Sequence, residues 1–207
     1  MRSYRLHLPL AKAVAAAAAS WVAAFLLHAY ILGLPAAHTT RNVCFGCFAG
    51  LAYAHLFEYF SHEVAMHRGL AGLRFIRDGH LRHHRIFYGQ NFRSRRPEDL
   101  QHVTTEWYAF PVLMAPHYAL LAAIYPAAAP AFFFGVTAHF IIYETGHWFT
   151  HVAENGFDRT LACIPGLGAL RARQVLHHQL HHARPSVNFN FTPPYGGDRL
   201  AKTYRKA

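Results

Sequence analysis

Acidic residues are scarce in this 207-residue chain, 10 Asp and Glu against 20 Lys and Arg, and there are only 3 cysteines. So few cysteines exclude a disulfide framework. Cys44 and Cys47 form a C-x2-C, but no second thiolate pair completes a structural zinc site. Both are read as small apolar residues on a buried helix. The chain also lacks a flavin-, nicotinamide- or haem-binding module, an internal repeat and a His-Glu-x-x-His; "HEVAMH" has one residue too many. From Pro97 to Asp158 there is neither Lys nor Arg. The length leaves room for one domain, 1–207.

Long apolar runs account for the missing charge. The run 13–34 is 22 residues long, about 33 Å of helix and enough to cross a bilayer. Arg2, Arg5 and Lys12 before it imitate a signal peptide, but its apolar region exceeds the ~7–15 residues of a leader. A second run covers 43–60, interrupted only by His55 and Glu58. The stretch 107–143 is too long for one span, and Pro126 with Pro130 divides it into 107–125 and 127–143. The remaining stretches, 62–106 and 144–207, are polar. Two hairpins would put the N-terminus and both polar stretches on one side, which then carries 19 of the 20 basic residues. That asymmetry marks the cytoplasmic face. The expectation is an all-α integral membrane protein, multi-pass, with four transmembrane helices in two hairpins and a cytoplasmic histidine-rich helical cap. The basic residues then face lipid phosphates, and no nucleic-acid partner is expected.

Histidine is the compositional outlier, with 18 copies. Imidazole is the commonest metal ligand and is largely neutral at pH 7. Ten of the histidines fall into four clusters: His62 and His67; His80, His83 and His84; His147 and His151; His178, His181 and His182. All lie in or beside the polar stretches. Residues three or four apart share a helix face, so each H-x2-H-H triad, and the His147–His151 pair, is expected to converge on one ion. His62 and His67 stand about 140° apart on an ideal helix, so the helix must end or bulge between them. Ten imidazoles exceed what one ion takes and suit two. Glu58, Glu63 and Glu144 precede His62, His67 and His147 by three or four residues, where each could accept the imidazole's second N–H. His7, His28, His38, His102 and His117 are isolated and read as structural or surface residues. His55 and His139 could line a channel, and His177 could assist a ligand.

The ordered clusters resemble those of the fatty acid hydroxylase/sterol desaturase superfamily of membrane di-iron oxygenases. The resemblance covers roughly Glu58 to Thr203. It includes "YETGHWFTH" (Tyr143–His151) and "HHQLHHARPSVNFNFTPPYGGDRL", a final H-x2-H-H followed by Asn-Phe and Asp-Arg-Leu. It implies a metal-ligand set of His62, His67, His80, His83, His84, His147, His151, His178, His181 and His182. Carotenoid hydroxylases share the clusters but space the third as H-x4-H, so the H-x3-H here favours the lipid-hydroxylase branch. One departure is the short connection between His67 and His80, only twelve residues, which implies a lean cap.

The activity so implied is O2-dependent hydroxylation of a C–H bond in a membrane lipid such as a fatty acyl chain. Desaturation of a sterol or other lipid, or carotenoid hydroxylation, is the alternative at the same site. The cofactors would be two metal ions, iron by resemblance, with zinc an alternative occupant of a purified form. Spacing alone also admits a zinc hydrolase. A histidine-rich membrane metal transporter is a different class, and it would need ionisable residues through the midplane of its spans. Electrons must come from outside, and the basic face suits an acidic donor such as a ferredoxin or cytochrome b5.

Overall fold

The computed structural model describes residues 7–31, Gly33 and 39–206, and among these it is all-helical, with one isolated bridge between Ser94 and Val152. Arg2, Arg5, Leu34, Pro35 and His38, which figure in the sequence argument, lie outside the described residues. Helix α1 (Leu8–Leu26) has Pro9 in its first turn, where the missing N–H costs nothing, and continues as a π-helical turn, Leu27–Ile31. Helix α2 (Thr40–Phe60) runs on as a π-helical stretch, Ser61–Arg68, and stops at Gly69 with φ +83°. Then follow α3 (Arg74–Ile86), α4 (Pro97–Leu100), α5 (Ala109–Ile124), α6 (Ala129–His151), α7 (Gly156–Ala162), α8 (Leu167–Ala183) and α9 (Gly196–Leu200).

Three helical stretches are long and apolar enough to cross a membrane: Leu8–Tyr30, Thr40–Arg68 and Pro126–His151. The expected third span is shorter than its apolar run: α5 has 16 residues, about 24 Å against the roughly 30 Å of a hydrocarbon core. The break after it falls where the prolines predict, in a 3₁₀ turn at Pro126–Ala128.

The chain divides into two compact units, Met1–Ala54 with Thr105–Glu144, and His55–Thr104 with Thr145–Ala207. In the first unit, α2 and α6 touch backbone to backbone. A Cβ on Gly50 would stand 2.1 Å from the Phe132 carbonyl oxygen, and one on Gly135 2.5 Å from that of Cys47. Small residues at a crossing allow the close packing that replaces the hydrophobic effect in lipid. Phe48, Val112, Leu120, Ile124 and Ile142 face outward, which suits an apolar surrounding. Cys44 is likewise exposed and Cys47 half-buried, both free. The buried-helix expectation for them is therefore corrected: only α2's glycine face is packed inward.

The second unit buries polar groups instead. Its interior holds histidines together with Arg171, Asn188, Asn190 and Asp198, sealed by Phe87, Phe92, Trp148, Phe189 and Phe191.

Candidate metal centre

The difficult spacing is resolved first. Over Ser61–Arg68 the backbone is π-helical, and Gly69 N donates to Val64 O, five residues back, at 2.8 Å. Such i→i+5 winding brings residues five apart onto one face. The rings of His62 and His67 accordingly lie 5.1 Å apart, centre to centre. The expected bulge is a π-stretch.

All ten cluster histidines then gather into two groups of five. His62, His67, His80, His84 and His181 form the first; His83, His147, His151, His178 and His182 form the second, and within each group the ligand nitrogens all lie within 4.8 Å of one another. Each triad is split, which corrects the expectation that a triad serves one ion. In α3 the i, i+4 pair His80 and His84 joins the first group while His83 turns to the second. In α8 the i, i+4 pair His178 and His182 joins the second while His181 turns to the first. Residues four apart overlie one another, whereas the neighbour of either is rotated by about 100°. Two helices used in opposite senses thus serve both groups.

Four tautomers follow from the hydrogen bonds. Nδ1 of His62, His181, His83 and His151 faces the carbonyl oxygen of Phe189, Val187 (2.7 Å), His102 (3.1 Å) and Phe92 (2.8 Å), respectively. A carbonyl only accepts, so each Nδ1 carries the proton and each Nε2 turns a bare lone pair inward. His84, His178 and His182 have buried Nδ1 atoms that find no hydrogen-bond partner among the described residues. Ring packing orients them: His84 stacks on His182 at 4.2 Å, and His178 meets Phe191 edge-on at 5.2 Å.

Lone pairs pointed at one another repel, and a cation between them removes the conflict. Neighbouring Nε2 atoms are 3.0–3.1 Å apart in the first group and 3.0–3.2 Å in the second. A metal–imidazole bond of about 2.1 Å separates donors by about 3.0 Å at right angles and about 3.4 Å at the tetrahedral angle. The observed spacing suits an ion with right-angled donors. No carboxylate belongs to either group among the described residues. The donor set is all imidazole, and these buried clusters could hold metal ions.

Electrostatics favour the ligating form. Burial, and secondarily neighbouring histidines, hold His80, His83, His178, His181 and His182 far below the ordinary imidazole range, and His84 at about 2. Neutral imidazoles are what a metal needs.

The three carboxylates read as partners of the ligands act elsewhere. Glu63 pairs with Arg68. Glu144 accepts from Thr105, N at 3.2 Å and Oγ1 at 2.6 Å. Glu58 accepts from Phe191 N, Thr192 N and Thr192 Oγ1. The groups that accept the imidazole protons are instead backbone carbonyls, which carry no residue signature. What holds those carbonyls is legible in part. "NFNF" alternates with period two, and Asn188, Asn190, Phe189 and Phe191 are all buried. Phe189 lies 5.5 Å from His181, and Phe191 5.5 Å from His147.

Of the remaining histidines, His177 is buried outside both groups, against Asn190 O (3.0 Å) and stacked on Tyr195 (3.9 Å). His55 holds Thr192 Oγ1 and accepts from Gly196 N. His102 lies outside both groups and offers its carbonyl to His83. No family model, curated protein or solved structure matches this chain.

Proposed function

We propose that this chain is an O2-dependent membrane oxygenase of the fatty acid hydroxylase/sterol desaturase kind, holding two iron ions and hydroxylating a C–H bond of a lipid. The observation that carries the reading is the gathering of ten imidazoles into two groups of five, with neighbouring donors 3.0–3.2 Å apart, in a chain with three helices apolar enough to cross a membrane. Right-angled, all-nitrogen donors favour a redox-active ion of higher coordination number over tetrahedral zinc.

Iron, when bound, supplies O2 activation and the oxidation of the C–H bond; the balanced change is R–H + O2 + 2e⁻ + 2H⁺ → R–OH + H2O. The chain's residues do the rest. His62, His181, His83 and His151 commit their protons to carbonyls, which fixes ring orientation and keeps Nε2 basic. Phe87, Phe92, Phe189 and Phe191 exclude water from the groups. Under this reading α5 is a fourth span completing two hairpins, and the termini and metal centre are cytoplasmic. The basic face there receives an acidic ferredoxin- or cytochrome b5-type donor.

Metal analysis of protein purified without added zinc is expected to give about two irons per chain, more than a single four-to-six-coordinate site holds. One ion or none would sink the two-metal reading. Lipids of cells carrying the chain should gain one oxygen atom relative to cells carrying His151→Ala. Loss of two hydrogens instead would make it a desaturase, and identical lipid profiles would overturn the oxygenase reading.

A further inference from the structure

The two histidine groups are held by different parts of the second unit. The first leans on the carbonyls of Val187 and Phe189, which belong to the segment after α8. That segment is clasped by Asp198, a fully buried carboxylate on α9. Asp198 Oδ1 accepts from Phe189 N (2.8 Å) and Thr203 Oγ1 (2.7 Å), and Oδ2 accepts from Asn190 N (2.8 Å). Thr203 closes the clasp: its N donates to Asp198 O (2.9 Å) and its O accepts from Asn188 N (3.2 Å). Hydrogen bonds to a charged acceptor are about twice as strong as neutral ones, so the carboxylate is the natural anchor of this turn.

The second group leans on Phe92 and His102, in the stretch after α3. There Ser94 N donates to His151 O (2.8 Å) and Ala153 N to Ser94 O (3.0 Å). Arg93 reaches Asp158 at 3.0 Å, and Asp158 also holds Arg171 at 2.8 Å. The Phe191 ring meets the second group, and Phe191 N is held by Glu58 rather than Asp198. The segment also meets α8 at His177, whose Nε2 lies 3.0 Å from Asn190 O and 3.6 Å from Asp198 Oδ2, but the carbonyls that face His83 and His151 are those of His102 and Phe92.

We propose that Asp198 is a positioning residue for the first histidine group and not for the second, acting through the 187–190 backbone, so that the two metal sites are braced independently. This rests on the reading that each group binds an ion. Orienting partners of a metal-bound histidine typically change metal affinity by about 10–100-fold.

The test is equilibrium titration of the full chain in detergent with cobalt(II), read by metal content and visible absorption. Asp198→Asn replaces one acceptor oxygen by an NH2 that confronts a backbone N–H. One of the two cobalt ions should bind about 10–100-fold more weakly while the other is unchanged. His84→Ala and His182→Ala backgrounds, each cutting one group, assign the loss. In the His182→Ala chain the remaining ion should weaken on adding Asp198→Asn; in the His84→Ala chain it should not. Thr203→Val, which removes one bond to the carboxylate, should give a smaller loss at the same site, and it decides the matter if Asp198→Asn fails to fold. Equal weakening of both ions, weakening confined to the second group, or no weakening in a chain of normal helical content would overturn the proposal. Wild-type chain binding fewer than two cobalt ions would instead overturn the reading beneath it.

Discussion

In the unit Met1–Ala54 with Thr105–Glu144, bulky apolar side chains such as Phe48, Leu120 and Ile124 point outward while glycines make the helix contacts. In the unit His55–Thr104 with Thr145–Ala207, the interior is imidazole, amide and carboxylate, and the phenylalanines form its wall. The first arrangement is stable where the surroundings are as apolar as the side chains, so that close packing decides which helices meet. The second is stable only if every buried polar group has a partner. The Asn188–Asn190–Asp198 clasp supplies its own partners. The inward Nε2 atoms of His62, His181, His83 and His151 face other imidazole nitrogens, and a cation could complete them. One unit is thus specified by shape, the other by buried polar groups that an ion could complete.

Metal removal should break that contrast most strongly. A ligand that binds only the folded state stabilises it by about 4 kcal/mol at a thousandfold excess over its Kd, so under the proposed two-ion reading the pair would contribute about twice that. Chelation should therefore lower the unfolding midpoint of the second unit steeply. Hydrogen exchange should show the amides of α3 and α8 losing protection while those of α1 and α5 keep it. Equal loss in both units would mean the metal is not specific to the second.

Acidification of the metal-free chain should have the next largest effect. Burial holds His83, His178 and His181 neutral, with folded values far below the ordinary 6.5 of an exposed imidazole. The unfolded chain therefore binds more protons than the folded one below about pH 6.5, and stability falls as pH falls through that point. It is fully present above pH 6.5. Each histidine that charges only on unfolding costs about 1.4 kcal/mol per pH unit. Urea midpoints at pH 7 and pH 5 measure this; a midpoint independent of pH would mean the imidazoles are not held neutral.

The glycine seam is the corresponding weak point of the first unit. Gly50→Val puts a Cβ 2.1 Å from a backbone oxygen that cannot rotate away, so α2 and α6 must separate, at a cost of about 3 kcal/mol. Gly156, at the start of α7, has open space where a Cβ would sit, and Gly156→Ala should be neutral within about 0.5 kcal/mol. Thermal unfolding in detergent followed by helical signal compares the pair. Similar midpoints would show that α2 and α6 do not depend on backbone contact.

Sequence exposed side-chain identity better than geometry here. The ten histidines were readable because ligand spacing repeats at three and four residues, and all ten do gather. Their division between two groups was not, because whether His83 or His181 turns away from its own triad depends on how α3 and α8 face each other, a pairwise property with no one-dimensional signature. The five-residue gap between His62 and His67 announced a departure from α geometry, and Ser61–Arg68 provides it. The sequence points to Glu58, Glu63 and Glu144 as orienting groups because carboxylates are visible in it, whereas the carbonyls of Phe92, His102, Val187 and Phe189, which take that place, are not. The span lengths show the same limit: the run 107–125 reads as a span by hydropathy, but α5 begins only at Ala109 and stops at Ile124.

The smallest effect sharpens the contrast from the other side. Within the first unit the Tyr118 hydroxyl lies 3.1 Å from the Ala24 carbonyl oxygen and 3.0 Å from His28 Nδ1. Tyr118→Phe removes that hydroxyl and leaves the ring's packing on Phe133, 5.1 Å centre to centre, in place. The Ala24 carbonyl also accepts from Leu27 N, so it keeps a partner. Interhelical hydrogen bonds in apolar surroundings are typically worth only about 0.6 kcal/mol, because the loosened helices find other partners. The expected loss of stability in detergent is therefore below about 1 kcal/mol. A loss several times larger would show that a polar pair organises the first unit as well, and the division between a unit built by shape and a unit built by charge would no longer hold.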